Sequence, residues 1–318
     1  MSFASDVRGE LARTPMEDAC CARSELTAAL LCGQGIAWRG RERYAVTFTA
    51  SEAPAVRRYF AMLKRFYGII GQIRAISGDT LNNTTRYQLV VPEAEALGLL
   101  RALELLEEGA LFGLRTLPTA QTVRYSCCKK SFLRAAFTMC GGVSHPDRDY
   151  HIEIALPSEA LAQFILEQLA AFDIGAKVST RKQKFVVYLK RAEDISDMLS
   201  LLGASKAMMA FENVRVKKEV SNRVNRQLNC DNSNINRSMN AAEAQIRDIR
   251  YIDSELGLDK LPRTLKDMAY IRANNPEMPL AELGELMDPP LGKSGVNARL
   301  RRIAVIADKL RCGDDIKL

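Results

Sequence analysis

The sequence contains an internal duplication, which restricts the chain to folds built from two like halves. Shifted by 107 residues, Cys20-Cys21, Ser24, Leu26, Ala28-Ala29 and Gly35 fall on Cys127-Cys128, Ser131, Leu133, Ala135-Ala136 and Gly142. The register continues without a gap: Arg41 meets Arg148, Ser51-Glu52-Ala53 meet Ser158-Glu159-Ala160, Ala55 meets Ala162 and Gly68 meets Gly175. Columns 20–68 hold 13 identities in 49, where average residue usage gives roughly three. So long a register marks a repeated supersecondary unit.

Each copy shows one order of elements. An apolar helix (24–32 and 131–139) precedes an extended stretch rich in β-branched and aromatic residues (43–49 and 150–156). A helix follows at 52–67 and 158–172, and Gly68 and Gly175 suit a helix C′ position. Two strands come next, 72–77 with 86–91 and 177–180 with 184–190, then a closing helix at 93–107 and 193–202. The unit is αββαββα in outline. The first helix of each copy is apolar on all sides, so it should be buried all round. Its small residues let two such helices approach closely, and the simplest arrangement pairs them across a pseudo-two-fold axis.

Thr-Ala-Ala-Leu-Leu-Cys-Gly-Gln-Gly at 27–35 and Arg-Ala-Ala-Phe-Thr-Met-Cys-Gly-Gly at 134–142 resemble degenerate LAGLIDADG motifs of homing endonucleases. That resemblance implies motif helices at the interface of two αββαββα halves, with an acid at the penultimate motif position holding a catalytic divalent metal. Gln34 and Gly141 occupy that position here. Neither supplies an anionic oxygen to Mg²⁺, whose ligands are carboxylates and waters. The expectation is a nuclease-like scaffold with no metal, no cofactor and no enzymatic activity. The rival is an endonuclease with relocated acids, for which Glu17 and Glu25 lie nearest the first motif and Asp147 nearest the second.

The last third changes character. Residues 214–240 are basic and Asn-rich. A helix is expected to about Leu228, then a polar turn. The stretch reads as a linker, with phosphate contact by Arg223 and Arg226 as the alternative. Helices are predicted at 241–256, ended by Gly257, at 262–274 behind Pro262, and in a short segment from Pro279 whose Leu280, Leu283 and Leu286 face inward. Asp-Pro-Pro-Leu-Gly at 288–292 interrupts the chain, and Ser294 is expected to cap a final helix reaching about Leu310. Val296, Leu300, Ile303, Ala307 and Leu310 form its one apolar stripe.

Two helices joined by a tight turn, the second basic, form a helix-turn-helix pattern, whose second helix enters the major groove by its N-terminal residues. Off the stripe lie Lys293, Ser294, Asn297, Ala298, Arg301 and Arg302. Arginine can bond guanine O6 and N7 and asparagine can bond adenine N6 and N7, each with two bonds. Within 293–311, six cations face the single acid Asp308. The competing reading is a basic surface helix of a small bundle.

The stretch 279–303 also resembles region 4 of bacterial sigma factors. A degenerate two-repeat LAGLIDADG scaffold, an Asn-Cys-Asp-Asn-Ser-Asn segment and a Ser-Gly-Val-Asn-Ala-Arg-Leu-Arg helix together resemble the bacterial WhiA family over nearly the whole chain. The resemblance implies an α+β protein: repeats at 1–105 and 120–213, a linker at 214–240, and an all-α helix-turn-helix domain at 241–312 with its core at 279–310. It also implies a cytoplasmic, nucleoid-associated, DNA-binding protein of Gram-positive bacteria that acts in sporulation-specific transcription, cell division or chromosome segregation. Double-stranded DNA is the expected partner, with RNA polymerase or its sigma factor as the second candidate. The internal pseudo-dimer suits a monomer.

Composition is compatible with this reading. Lys and Arg total 45 against 38 Asp and Glu, a net charge of +7 that favours polyanions. No secretory signal and no membrane-length apolar run is legible. Two histidines, His145 and His151, leave little for histidine catalysis. Gly33–Gly35 and Gly141-Gly142 lack the Lys-[Ser/Thr] frame of a phosphate loop. Eight cysteines include the adjacent pairs at 20–21 and 127–128. Adjacent cysteines are expected to point apart, so these read as buried reduced thiols near the pseudo-two-fold axis and not as metal ligands. Three basic runs mark the repeats: Arg57, Arg58, Lys64, Arg65 and Arg74; Arg124, Lys129, Lys130 and Arg134; and Lys177, Arg181, Lys182, Lys184, Lys190 and Arg191. Arg181, Lys182 and Lys184 are the candidates for DNA-backbone contact, against solvated charge or a protein-binding surface.

Overall fold

A computed structural model describes residues 2–16, 18–40, 43–77, 85–107, 113–181 and 183–313. Glu17, Arg41 and Lys182 lie outside them. The chain divides into two units, Met1–Lys218 and Glu219–Leu318.

The first unit opens with a helix that the sequence reading had not assigned, α1 (Phe3–Leu11), which buries Phe3, Val7 and Leu11 at helical spacing. The first repeat then runs α2 (Ala19–Gly33), β1 (Ile36–Gly40), β2 (Arg43–Ala50), α3 (Ala53–Tyr67), β3 (Gln72–Ser77), β4 (Thr85–Val90) and α4 (Glu93–Ala102). The second runs α5 (Ser126–Cys140), β5 (Gly141–Val143), β6 (Ile152–Leu156), α6 (Glu159–Ala170), β7 (Lys177–Arg181), β8 (Lys184–Leu189) and α7 (Ala192–Leu202). The sheets share one antiparallel topology, β1-β2-β4-β3 and β5-β6-β8-β7. Helices α2 and α5 coincide in the duplication register. Thr85 instead matches Lys184, because the second copy has a shorter β7–β8 turn.

The all-round apolar helices are buried and packed on each other. Leu26, Ala28, Ala29 and Leu30 of α2 and Phe132, Leu133, Ala135 and Ala136 of α5 are almost wholly sequestered. Ser24 Oγ donates to the Cys128 carbonyl at 2.7 Å near one end of the pair, and Cys140 Sγ donates to the Cys32 carbonyl at 3.1 Å near the other. A Cβ on Gly33 would meet Met139 Cε, the flexible end of a side chain on α5, at 2.6 Å. Gly68 ends α3 with a left-handed φ of 68°, as expected. Gly175 has no such role: α6 stops at Ala170, and Asp173 takes the left-handed turn with φ 60°.

Helix α8 (Ser205–Glu255) begins in the first unit and ends in the second. The polar turn expected after Leu228 is not found, and 214–240 is helical throughout. Neither glycine nor proline occurs between 205 and 255. Polar side chains bond one turn along the helix, as in Gln227 Nε2 to Asp231 Oδ1 (3.2 Å) and Asn234 Nδ2 to Cys230 Sγ (3.8 Å). The second unit continues with a 3₁₀ turn (Leu258–Lys260), α9 (Arg263–Asn274), α10 (Leu280–Glu285) and α11 (Lys293–Cys312) around a core of Ile249, Ile252, Met268, Leu283, Val296, Leu300, Ile303 and Ala307. Leu286 was expected inside but is 52% exposed. Met287 is buried in its place.

Candidate nucleic-acid interface

The turn from α10 to α11 is held by backbone. Leu291 N–H donates to the Gly284 carbonyl at 2.9 Å, and a Cβ on Gly284 would sit 1.9 Å from the Leu291 carbonyl oxygen. Helix α11 then buries Val296, Leu300, Ile303 and Ala307, four of the five residues of its expected stripe, and Leu310 packs at the margin. At roughly 100° per residue, Ser294, Ala298, Arg301 and Val305 lie opposite that stripe. Lys293, Ser294, Ala298, Arg301 and Arg302 are exposed and Asn297 is half-buried. Ser294 is not the cap: Gly292, in extended conformation, takes that position, and Ser294 sits inside the first turn with its hydroxyl on the open face.

The charge of this helix is partly used up within the unit. Arg311 pairs with Asp248 at 2.6 Å and Asp308 at 2.8 Å, and Arg299 reaches the Thr264 carbonyl at 3.4 Å. Among the described residues no ion pair holds Lys293, Arg301 or Arg302. Net positive charge therefore concentrates on the open N-terminal face. Arg223 and Arg226 lie on α8, where both are exposed and Arg226 Nε turns back to the Asn222 carbonyl at 3.3 Å.

In the repeat unit the sheets sort the basic runs by face. Strand pairing puts Lys177 opposite Tyr188 and Arg181 opposite Lys184, so Lys177, Arg181 and Lys184 share the face of the second sheet away from its helices. Lys182 lies outside the described residues. On the first sheet a row crosses three strands: Arg74 Nε donates to Gln88 Oε1 at 2.9 Å, and Gln88 Nε2 donates to Thr49 Oγ1 at 3.2 Å. Gln88 and Thr49 are uncharged and escaped the reading of basic runs; strand alternation was the signal that could have found them. Other members of the runs are structural. Arg58 is buried against Glu25, with Nη2 to Oε2 at 3.0 Å, and Arg134 donates to the Leu202 carbonyl at 2.8 Å while lying 3.6 Å from Glu25.

Gln34 ends α2 in the left-handed region with φ 52°, exposed to solvent. The Gly141 carbonyl accepts from Arg8 Nη1 at 2.9 Å, and Arg8 also pairs with Glu52 at 3.0 Å. Of the relocated-acid candidates, Glu25 is 2% exposed and locked between two arginines. Asp147 is exposed beside His145, and Glu17 lies outside the described residues. His151 bonds Glu153 at 3.1 Å. Among the described residues, the one cluster of metal-ligating side chains is Cys20, Cys21, Cys127 and Cys128. The expectation of buried thiols that point apart is corrected: the four sulfurs lie within 4.8 Å of one another, with those of Cys127 and Cys128 4.0 Å apart, and only Cys128 is buried, Cys20 and Cys21 being half-buried and Cys127 exposed.

Residues 19–106 match the WhiA N-terminal LAGLIDADG-like domain, 129–221 the WhiA LAGLIDADG-like domain, and 224–307 the WhiA C-terminal HTH domain. A probable cell division protein WhiA of Desulforamulus reducens is 36% identical over 323 residues, covering 99% of this chain and 98% of that protein. The chain belongs to the WhiA family. A second WhiA relative, from Thermoanaerobacter pseudethanolicus, is 38% identical with 98% of each chain covered. The crystal structure of full-length WhiA from Thermatoga maritima shares the fold, with a TM-score of 0.59 at 24% identity over 97% of this chain and 99% of that one. All six α11 candidates fall inside the stretch matching the WhiA HTH domain. Gln34 and Gly141 fall inside the two LAGLIDADG-like stretches.

Proposed function

We propose that this WhiA-family chain is a sequence-specific DNA-binding transcription regulator without nuclease activity, acting in cell division, sporulation-specific transcription and chromosome segregation. One observation carries the reading: α11 presents Ser294, Ala298 and Arg301 opposite its buried stripe, with Lys293, Arg302 and the half-buried Asn297 on its flanks, and among the described residues no ion pair holds Lys293, Arg301 or Arg302. Such a face can place arginine and asparagine on base edges in a major groove while Lys293 meets phosphate. The sheet-face cations Arg181 and Lys184, with Lys182 between them in sequence and Arg223 and Arg226 on α8, are assigned to DNA backbone. RNA polymerase or its sigma factor is the competing occupant of the same surface.

The absence of cutting is argued from charge. Both motif positions lack an acid, Arg8 stands at one of them, and Glu25 is neutralised by Arg58 and Arg134. No helix among the described residues is long and apolar enough to cross a membrane. The assigned location is the cytoplasm, at the nucleoid, and the duplication suits a monomer.

Chromatin immunoprecipitation with sequencing on wild type and Arg301→Ala defines the target, and anisotropy titration on that duplex measures it. Arg301→Ala should weaken specific binding by ~1–3 kcal/mol while leaving nonspecific binding nearly unchanged. Affinity should fall steeply with salt through counterion release. Unchanged affinity in both Arg301→Ala and Lys293→Ala would remove α11 from the interface. Double-strand cleavage of target plasmid with Mg²⁺ or Mn²⁺ would overturn the non-nuclease assignment.

A further inference from the structure

We propose that Cys20, Cys21, Cys127 and Cys128 form a tetrathiolate Zn²⁺ site that clamps the two repeats together at the N-terminal ends of α2 and α5. The four sulfurs all lie within 4.8 Å of one another, and the Cys127 and Cys128 sulfurs are 4.0 Å apart. A tetrahedral ion with Zn–S of about 2.3 Å holds its sulfurs roughly 3.8 Å apart. Closure therefore needs only small side-chain shifts. Sulfurs this close enclose a single ion and leave no room for the inorganic sulfides of an iron–sulfur cluster. Thiolate donors in a tetrahedral set select zinc among common divalent ions.

The duplication builds the site. Each copy supplies a cysteine pair at the second and third residues of its motif helix. Two adjacent helical residues diverge by roughly 100°, so one pair cannot surround an ion. The second pair, brought in by the pseudo-two-fold, completes the sphere. A serine fixes the juxtaposition: buried Ser24 of α2 donates to the Cys128 carbonyl of α5 at 2.7 Å, and its duplicate Ser131 is buried at the matching position of α5.

The electrostatics suit an anionic centre. Four thiolates around Zn²⁺ carry a net charge of −2, and both helix N-termini point their partial positive charge toward it. Neither helix has an acid in its first turn, and neither Asp18 nor Tyr125 caps with its side chain. Arg124, Lys129 and Lys130 flank the second pair in sequence. A bound cation would hold the four sulfurs as thiolates and release their protons.

The test is anaerobic titration of the reduced full-length protein with Co²⁺, followed by Zn²⁺. One Co²⁺ per chain should bind with thiolate-to-cobalt charge transfer and the intense d–d bands of tetrahedral cobalt, and Zn²⁺ should bleach both. Cys20→Ser and Cys127→Ser should each weaken binding by about 100-fold or more, whereas Cys230→Ser and Cys312→Ser should leave it unchanged. Zinc should raise Tm in wild type, and chelator should reverse the rise. Should the serine variants fail to fold, the wild-type cobalt spectrum and the zinc-dependent Tm decide the matter. Absence of the charge-transfer band in reduced wild type, or bands indifferent to Cys20→Ser and Cys127→Ser, would overturn the site. Disulfide formation within the cluster, with no metal uptake after reduction, would overturn it as well.

Discussion

Replacing Gly284 by alanine separates helix propensity from the packing of α11. Propensity alone favours the change by about 0.8–1.0 kcal/mol inside a helix. The turn opposes it, because the new Cβ would lie 1.9 Å from the Leu291 carbonyl oxygen, 3.0 Å from its carbon and 3.2 Å from Val296 Cγ2. The first two are backbone atoms that no rotamer can move aside. Forcing the turn apart costs about 1–3 kcal/mol as overpacking, and loss of the Leu291 N–H to Gly284 bond adds about 1 kcal/mol. The net expectation is ~1–3 kcal/mol of destabilisation confined to Glu219–Leu318. For a unit of this size each kcal/mol lowers Tm by about 4–8 °C. Gly295→Ala is the internal control: its Cβ would meet Leu291 Cδ2 at 3.4 Å, ordinary contact, so up to about 1 kcal/mol of propensity gain should survive. Thermal unfolding with hydrogen exchange on the α9–α11 amides reads both. If the two variants stabilise the unit equally, the close approach of turn and α11 is wrong.

Further outcomes concern the repeat unit. Glu25→Gln strands Arg58 in the interior and should cost ~3–5 kcal/mol in urea unfolding; a change below about 1 kcal/mol would mean the pair is not buried as described. Burial pushes Cys140 up from 9.0 to about 11. The folded state then keeps a proton that the unfolded chain gives up, so its contribution is full below pH 9 and is lost as pH rises toward 11. Cys140→Ser should remove a decline of order 2 kcal/mol from the alkaline unfolding curve, and identical curves would refute the assignment. Lys184→Ala should weaken binding to all duplexes alike and reduce the salt slope by about 1, and a sequence-dependent loss would argue against backbone contact.

Much of the architecture was legible because one-dimensional patterns carry it. The motif helices α2 and α5 showed in their all-round apolar character and α11 in its stripe, since periodic burial leaves periodic residues. What depends on residues far apart in sequence was not legible. Arg58 and Arg134 read as members of basic runs, yet their charge is absorbed by Glu25, 33 residues from Arg58. The cysteine pairs looked divergent because the partner pair lies 106 to 108 residues away in sequence. The continuity of α8 was hidden by asparagines, whose preference for turns is overridden when no glycine or proline offers an exit. Ser294 is the expected residue type for a cap, but Gly292 takes the extended conformation two residues earlier and the hydroxyl is left for another use.

The loss of two acids would be a weak argument against cutting if nearby carboxylates could substitute, so the decisive quantity is the sign of the field where the metal would sit. At one motif end Arg8 donates to the Gly141 carbonyl, and at the neighbouring Cys140 thiol Lys184 and Arg86 contribute opposing positive charge that lowers the raised pKa. A divalent cation entering there meets Lys184, Arg86, an Arg8 already paired with Glu52, and a carbonyl oxygen already engaged. Glu25, more than two helical turns back along α2 from Gln34, cannot serve there without leaving Arg58 and Arg134 unpaired in the interior, at a cost of several kcal/mol. The same field attracts phosphate. In the proposed reading the scaffold holds duplex backbone without cutting it, because neither motif position, Gln34 nor Gly141, offers an acid to a metal.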